Sequence, residues 1–136
     1  MRVMLDTNIL ISALLFPSGK VERLFKELVL NHTIVISSYV LDEFWEVMYR
    51  KFPYKKNVVE KFLEDISFEF VHTPQKIHID KLELRDYKDY PVIFSAIIEK
   101  VDVLLSGDKD LAGVKIGKTE IMTPAQFIEK YSSFYD

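Results

Sequence analysis

The chain has 136 residues, 49% of them apolar, and a formal net charge of −3. That length and composition suit one folded domain with its own hydrophobic core, and exclude a disordered chain or a small scaffold that depends on staples. There is no cysteine, so disulfides and thiolate metal sites are excluded and any metal must use oxygen or the three histidines.

The elements alternate. Arg2 to Leu5 reads as a short buried strand, and Ile9 to Phe16 as an apolar helix ending near Pro17-Ser18-Gly19. From Val21 to about Leu30, Leu24, Phe25, Leu28 and Val29 recur at helical spacing. Thr33 to Ile36 is a second strand, after which Ser38 offers an N-cap for a helix from Tyr39 to about Arg50. Pro53 breaks the pattern. Val58, Val59, Phe62, Leu63 and Ile66 mark another helix, followed by a strand at Phe68 to Val71. Thr73 to Lys88 shows no regular period. A helix from Pro91 to about Lys100 precedes the strand Val103-Leu104-Leu105, and Ile121-Met122 forms a last short strand. Thr123 and Pro124 fit the N-cap and first residue of a terminal helix. Strands separated by helices imply a mostly parallel sheet with helices on both faces. With no repeat or linker, the expectation is a single domain over 1–136.

Acids recur where strands end. Asp6-Thr7-Asn8 follows Val3-Met4-Leu5 directly, at the place where open α/β sheets bind ligands. Asp6 can simply cap the next helix, although Thr7 or Asn8 can do so equally well. Ser106-Gly107-Asp108-Lys109-Asp110 repeats the arrangement after a second strand, and Asp6 and Asp108 would meet if those strands are neighbours. The bland reading is a Gly-Asp turn with Asp110 as a local cap. Glu43 lies at the border of the apolar stripe Val40, Leu41, Phe44, Val47 and Met48, whereas Asp42 and Glu46 fall nearly opposite it and face water. Asp89 stands just before Pro91, where a capping role and a ligand role are both compatible. Asp86 can pair with Arg85 or Lys88 in a turn.

With these residues in place the chain resembles the PIN-domain nucleases, and within them the small prokaryotic group of VapC-type toxin components. The resemblance runs nearly end to end: Leu5 to Ala13, Ser38 to Val47, Arg85 to Ala96, Val103 to Leu111 and Ile121 to Phe127. It implies a three-layer α/β/α domain around a mostly parallel sheet of about four or five strands. Asp6, Glu43, Asp89 and Asp108 then carry over as an acidic metal-binding, catalytic quartet, with Asp110 as an accessory acid and Asn8 and Ser106 as polar supports behind them. Ser106 stands where the family more often has Thr, and Phe94-Ser95 where smaller residues are common. Oxygen-only ligation favours Mg²⁺ or Mn²⁺, as one ion or two. The implied activity is hydrolysis of RNA phosphodiesters by a toxin held by a cognate antitoxin, often as a homodimer or higher oligomer. A PIN nuclease that processes RNA without a toxin role is the near alternative.

The acidic net charge argues mildly against nucleic acid, yet acids gathered in one site leave the remaining surface nearly neutral. Arg50, Lys51, Lys55 and Lys56, interleaved with Tyr49, Phe52 and Tyr54, suit phosphates and bases, as does Arg85. The plainer reading gives Arg50 and Lys51 to a helix C-terminus. His32, His72 and His78 lack paired ligand spacing and read as surface or strand-edge residues. The early acid argues against a signal peptide and no apolar run has transmembrane length, so a cytoplasmic protein without membrane contact is expected. Two other classes compete. A haloacid-dehalogenase phosphatase also opens on a strand ending in Asp, but normally has a second Asp where this chain has Asn8. An inactive PIN scaffold serving as an interaction module is the other.

Overall fold

A computed structural model describes residues 1–16, 18–74 and 90–131. Arg85, Asp86, Lys88, Asp89 and His78 lie outside the described residues, and so does most of the stretch that shows no period.

Six strands form one sheet: β1 (Arg2–Leu5), β2 (Thr33–Ser37), β3 (Glu69–Val71), β4 (Val103–Leu105), β5 (Lys115–Ile116) and β6 (Thr119–Met122), in the order β3-β2-β1-β4-β6-β5. All pairs are parallel except β5 with β6. The sheet exceeds the expected four or five strands because of β5. Two residues are too few to show alternation, and the strand exists only through its turn, where Gly117 takes φ 58° between Ile116 and its partner Thr119.

The helices are α1 (Thr7–Leu15), α2 (Gly19–Asn31), α3 (Ser38–Lys51), α4 (Lys56–Ile66), α5 (Pro91–Ile98) and α6 (Pro124–Tyr131), with a 3₁₀ turn at Pro53–Lys55 between α3 and α4. The period-2 alternation of the strands sorts the core into two halves. Val3, Leu5, Ile34, Ile36, Val103 and Leu105 face one layer, built by α1, α2, α3, α4 and α6 through residues such as Leu10, Leu28, Phe44, Val59 and Phe127. Met4, Val35, Leu104 and Ile121 face the other, covered by Ile93 and Ala96 of α5. This is the three-layer α/β/α arrangement.

One local expectation shifts. The N-cap of α3 is Ser37, not Ser38: the buried Ser37 side chain accepts from Val40 N at 3.3 Å. Ser38 Oγ instead accepts from Thr73 N at 2.9 Å. His32 stands at the edge of β2, as expected, and is half-buried. It lies 3.4 Å from the buried Glu27 carboxylate and sets its ring edge-on to Phe127. The terminal helix begins as expected, and Thr123 and Gln126 cap one another reciprocally, at 3.0 and 3.2 Å.

Candidate active site

The site is placed by the strand order. After β1 the chain adds β2 and β3 on one side, then returns to add β4 on the other. β1 and β4 are therefore neighbours at the point where the order reverses, with Leu5 opposite Leu105. Asp6 and Ser106 leave the sheet side by side. Asp6 N donates to Leu105 O and Ser106 N to Met122 O, both at 2.9 Å, which holds the two exits in register.

Asp6 performs two tasks. It is the N-cap of α1, with Oδ1 accepting from Thr7 N at 2.7 Å, so neither Thr7 nor Asn8 relieves it of capping. Its other oxygen, Oδ2, accepts from the Ser106 hydroxyl at 3.1 Å. Ser106 is buried, and its Oγ in turn accepts from Asp108 N at 3.2 Å. Asp108 Oδ1 accepts from Asp110 N at 3.0 Å, folding the exposed Gly107-to-Asp110 turn back on itself. One serine thus links the two acids that end adjacent strands. Asn8 stands exposed on the first turn of α1.

Glu43 approaches from α3. It is half-buried while Asp42 and Glu46 are exposed, which matches its position at the edge of the apolar stripe. Tyr39, one turn earlier, donates its hydroxyl to Glu43 Oε2 at 3.2 Å. Burial pushes the Asp6 carboxyl above the ordinary Asp range; the bonds from Thr7 and Ser106 oppose this, and the charges of Glu43 and Asp108 add to it. The Tyr39 hydroxyl is also pushed up, by burial first and then by Glu43, Asp6 and Glu46. Asp6, Glu43, Asp108 and Tyr39 therefore share one electrostatic neighbourhood.

Among the described residues no three carboxylates or imidazoles lie close enough together to hold an ion. The chemistry of the site, rather than its spacing, suits a hard cation. Its donors are all oxygen, the Asp6 carboxylate is crowded by like charges, and the buried Thr7 hydroxyl beside it has no hydrogen-bond partner among the described residues.

Arg50 and Lys51 occupy the last turn of α3 and Lys55 and Lys56 the junction with α4, with the Lys55 ammonium 5.3 Å from the Phe52 ring centroid. Tyr49 and Tyr54 are exposed. On a helix, Arg50 lies two turns, about 10 Å, beyond Glu43 on the same face. Three residues were not found from sequence: Tyr39, which bonds Glu43, and behind it Thr73 and, as a hydrogen-bonding group, Ser95. Only Tyr39 carried a usable signal, its i,i+4 spacing to Glu43.

A family model for the PIN domain matches residues 2–110. The chain belongs to the PIN domain family. The members of this family are nucleases. The matched stretch contains the exits of β1 and β4 and the start of α3, and ends at Asp110. The fold is similar to that in the crystal structure of VapBC2 from Rickettsia felis bound to a DNA fragment from their promoter. The match has a TM-score of 0.68 and 24% identity, covering 90% of this chain and 98% of that one. Among curated proteins no sequence matches significantly. No helix among the described residues is long and apolar enough to cross a membrane.

Proposed function

We propose that this PIN domain is a divalent-metal-dependent endoribonuclease and the toxin of a toxin–antitoxin pair. The observation that carries the nuclease reading is the Asp6–Ser106–Asp108 linkage across adjacent strand ends, with Glu43 within electrostatic reach. Asp6, Glu43, Asp89, Asp108 and Asp110 are the residues that would hold Mg²⁺ or Mn²⁺, with Asn8 and Ser106 supporting them. Bound there, the cation offsets the charge of the acids and of the phosphate brought against them. Ser106 keeps Asp6 and Asp108 aligned. Glu43, with Oε2 engaged by Tyr39, uses Oε1 to orient the attacking water and accept its proton. Arg50, Lys51, Lys55, Lys56 and Arg85 are the proposed phosphate contacts.

Family membership sets aside the haloacid-dehalogenase reading. The toxin role draws on the fold shared with a VapBC complex, and brings with it a cognate antitoxin, a cytoplasmic location and a homodimer or higher oligomer. Exposed apolar side chains such as Val29, Leu30 and Phe16 are compatible with such contacts.

The test is cleavage of a labelled RNA by purified protein with Mn²⁺. Asp6→Asn and Asp108→Asn are each expected to lower the rate about 100-fold or more, since removing even a supporting group at a metal site costs about 10- to 100-fold. A wild-type protein that neither cleaves RNA nor gains thermal stability from Mn²⁺ would be an interaction module instead. Growth arrest on expression, relieved by Asp6→Asn, tests the toxin role.

A further inference from the structure

Tyr39 is held more firmly than an exposed tyrosine on a first helical turn requires. Its N–H donates to Thr73 Oγ1 at 3.2 Å, and Thr73 N donates to Ser38 Oγ at 2.9 Å. The buried Ser95 of α5 donates its hydroxyl to the same Thr73 Oγ1 at 2.9 Å. These bonds tie the start of α3 to the exit of β3 and to α5, and fix the backbone from which the ring projects. Tyr39 as a residue remains 38% exposed, although Val40 and Phe44 of the same helix are fully buried. Its hydroxyl meets Glu43 Oε2, and it lies within electrostatic reach of Asp6.

A polynucleotide approaching this site meets acids, and its phosphates are repelled by them. A neutral ring at the edge of the acids offers contact that carries no such penalty, because every base has a face that can stack. Bases within a duplex are already stacked and present no free face.

We propose that Tyr39 is a dual-purpose residue of this site, its ring stacking on an unpaired base next to the scissile phosphate and its hydroxyl positioning the Glu43 carboxylate. This rests on the ribonuclease reading above and adds the residue that selects the strand.

The full-length protein, with Mn²⁺, is assayed on a labelled single-stranded RNA and on the same RNA annealed to its complement. Wild type is compared with Tyr39→Phe and Tyr39→Ala, each checked for an unchanged fold by circular dichroism. Tyr39→Phe keeps the ring and loses the hydroxyl. It is expected to lower kcat about 3- to 10-fold, to leave KM unchanged, and to raise the Mn²⁺ concentration needed for half-maximal thermal stabilisation by a similar factor. Tyr39→Ala is expected in addition to raise KM for the single strand about 5- to 150-fold. Wild type is expected to prefer the single strand at least about 10-fold, and Tyr39→Ala to narrow that preference.

Both variants matching wild type in kcat, KM and Mn²⁺ response overturns the proposal. Equal KM for Phe and Ala, or equal use of duplex and single strand by wild type, overturns the stacking role. If wild type cleaves neither RNA, the nuclease reading fails and the stacking role falls with it. The Mn²⁺ titration of Tyr39→Phe against wild type then decides the Glu43 role alone.

Discussion

Asp6 shows how a single residue serves folding and chemistry in opposite senses. As an N-cap it stabilises α1; as a desolvated carboxylate beside Glu43 and Asp108 it opposes folding. Asparagine caps about as well as aspartate and carries no charge. Asp6→Asn is therefore expected to abolish cleavage while raising the melting temperature at pH 7 in EDTA. A variant that melts lower than wild type under those conditions would show that crowding of charge at this site is not a cost to the fold. Ser106→Ala probes the same crowd differently. It removes the donor to Asp6 Oδ2 and the acceptor of Asp108 N, and leaves both main-chain bonds of the strand exits in place. An activity loss of about 10- to 100-fold with the strand order intact is expected, measured as cleavage rate against Mn²⁺ concentration.

At the scale of elements, part of the candidate site was legible because two of its acids, Asp6 and Asp108, follow strands. The runs Val3-Met4-Leu5 and Val103-Leu104-Leu105 read as buried strands, and their adjacency brings Asp6 and Ser106 together. Glu43 was legible from helical periodicity, since only a border position escapes both core and water. What sequence did not yield is contact between elements distant in the chain. The Ser38–Thr73–Ser95 bonds join three elements through hydroxyls that look interchangeable with other surface hydroxyls. The cap of α3 illustrates the same limit over a single residue: Ser37 and Ser38 are identical in type, and only the path of the backbone decides which faces Val40 N. Ser37→Ala is expected to cost about 1 kcal/mol, a fall in melting temperature of about 3–5 °C for a chain of this size. Ser38→Ala leaves the cap intact. Its fall is expected to be smaller, and Thr73 to be the residue whose amide exchanges faster. Thermal melts of the two variants with amide hydrogen exchange check the assignment, and equal exchange at Thr73 in both would contradict it.

Among the described residues, the two ends of the sheet hold their charges differently. At the carboxyl ends of the strands the charges of Glu43 and Asp108 bear on the desolvated Asp6. Near the amino ends the charges are paired. Arg2 reaches Glu69 at 2.8 Å and Glu99 at 3.2 Å; its N–H donates to Asp102 at 2.9 Å, and Lys118 lies 3.4 Å from Asp102. The bond from Arg2 N, helped by Lys118, holds the Asp102 carboxyl below the ordinary range despite its partial burial. The two ends respond to pH with opposite signs. Asp102 binds a proton more weakly folded than unfolded, so its contribution to stability is complete above the unfolded value of about 4 and is lost as pH falls through the folded one. Asp6 binds a proton more tightly when folded. Its charge thus destabilises as pH rises from about 4 through its raised value, and acid relieves it. In EDTA, the stability advantage of wild type over Asp102→Asn should be constant at neutral pH and vanish in acid. The disadvantage of wild type against Asp6→Asn should be absent in acid and grow toward neutrality. Thermal melts of the three proteins from pH 3 to 8 measure both differences. Added Mn²⁺ should erase the second and leave the first untouched, because Asp102 is already paired with Lys118 and Arg2 N whereas Asp6 has no cationic partner among the described residues. If Mn²⁺ shifted both differences equally, its effect would be general screening, and the acids at the strand ends would not be its site.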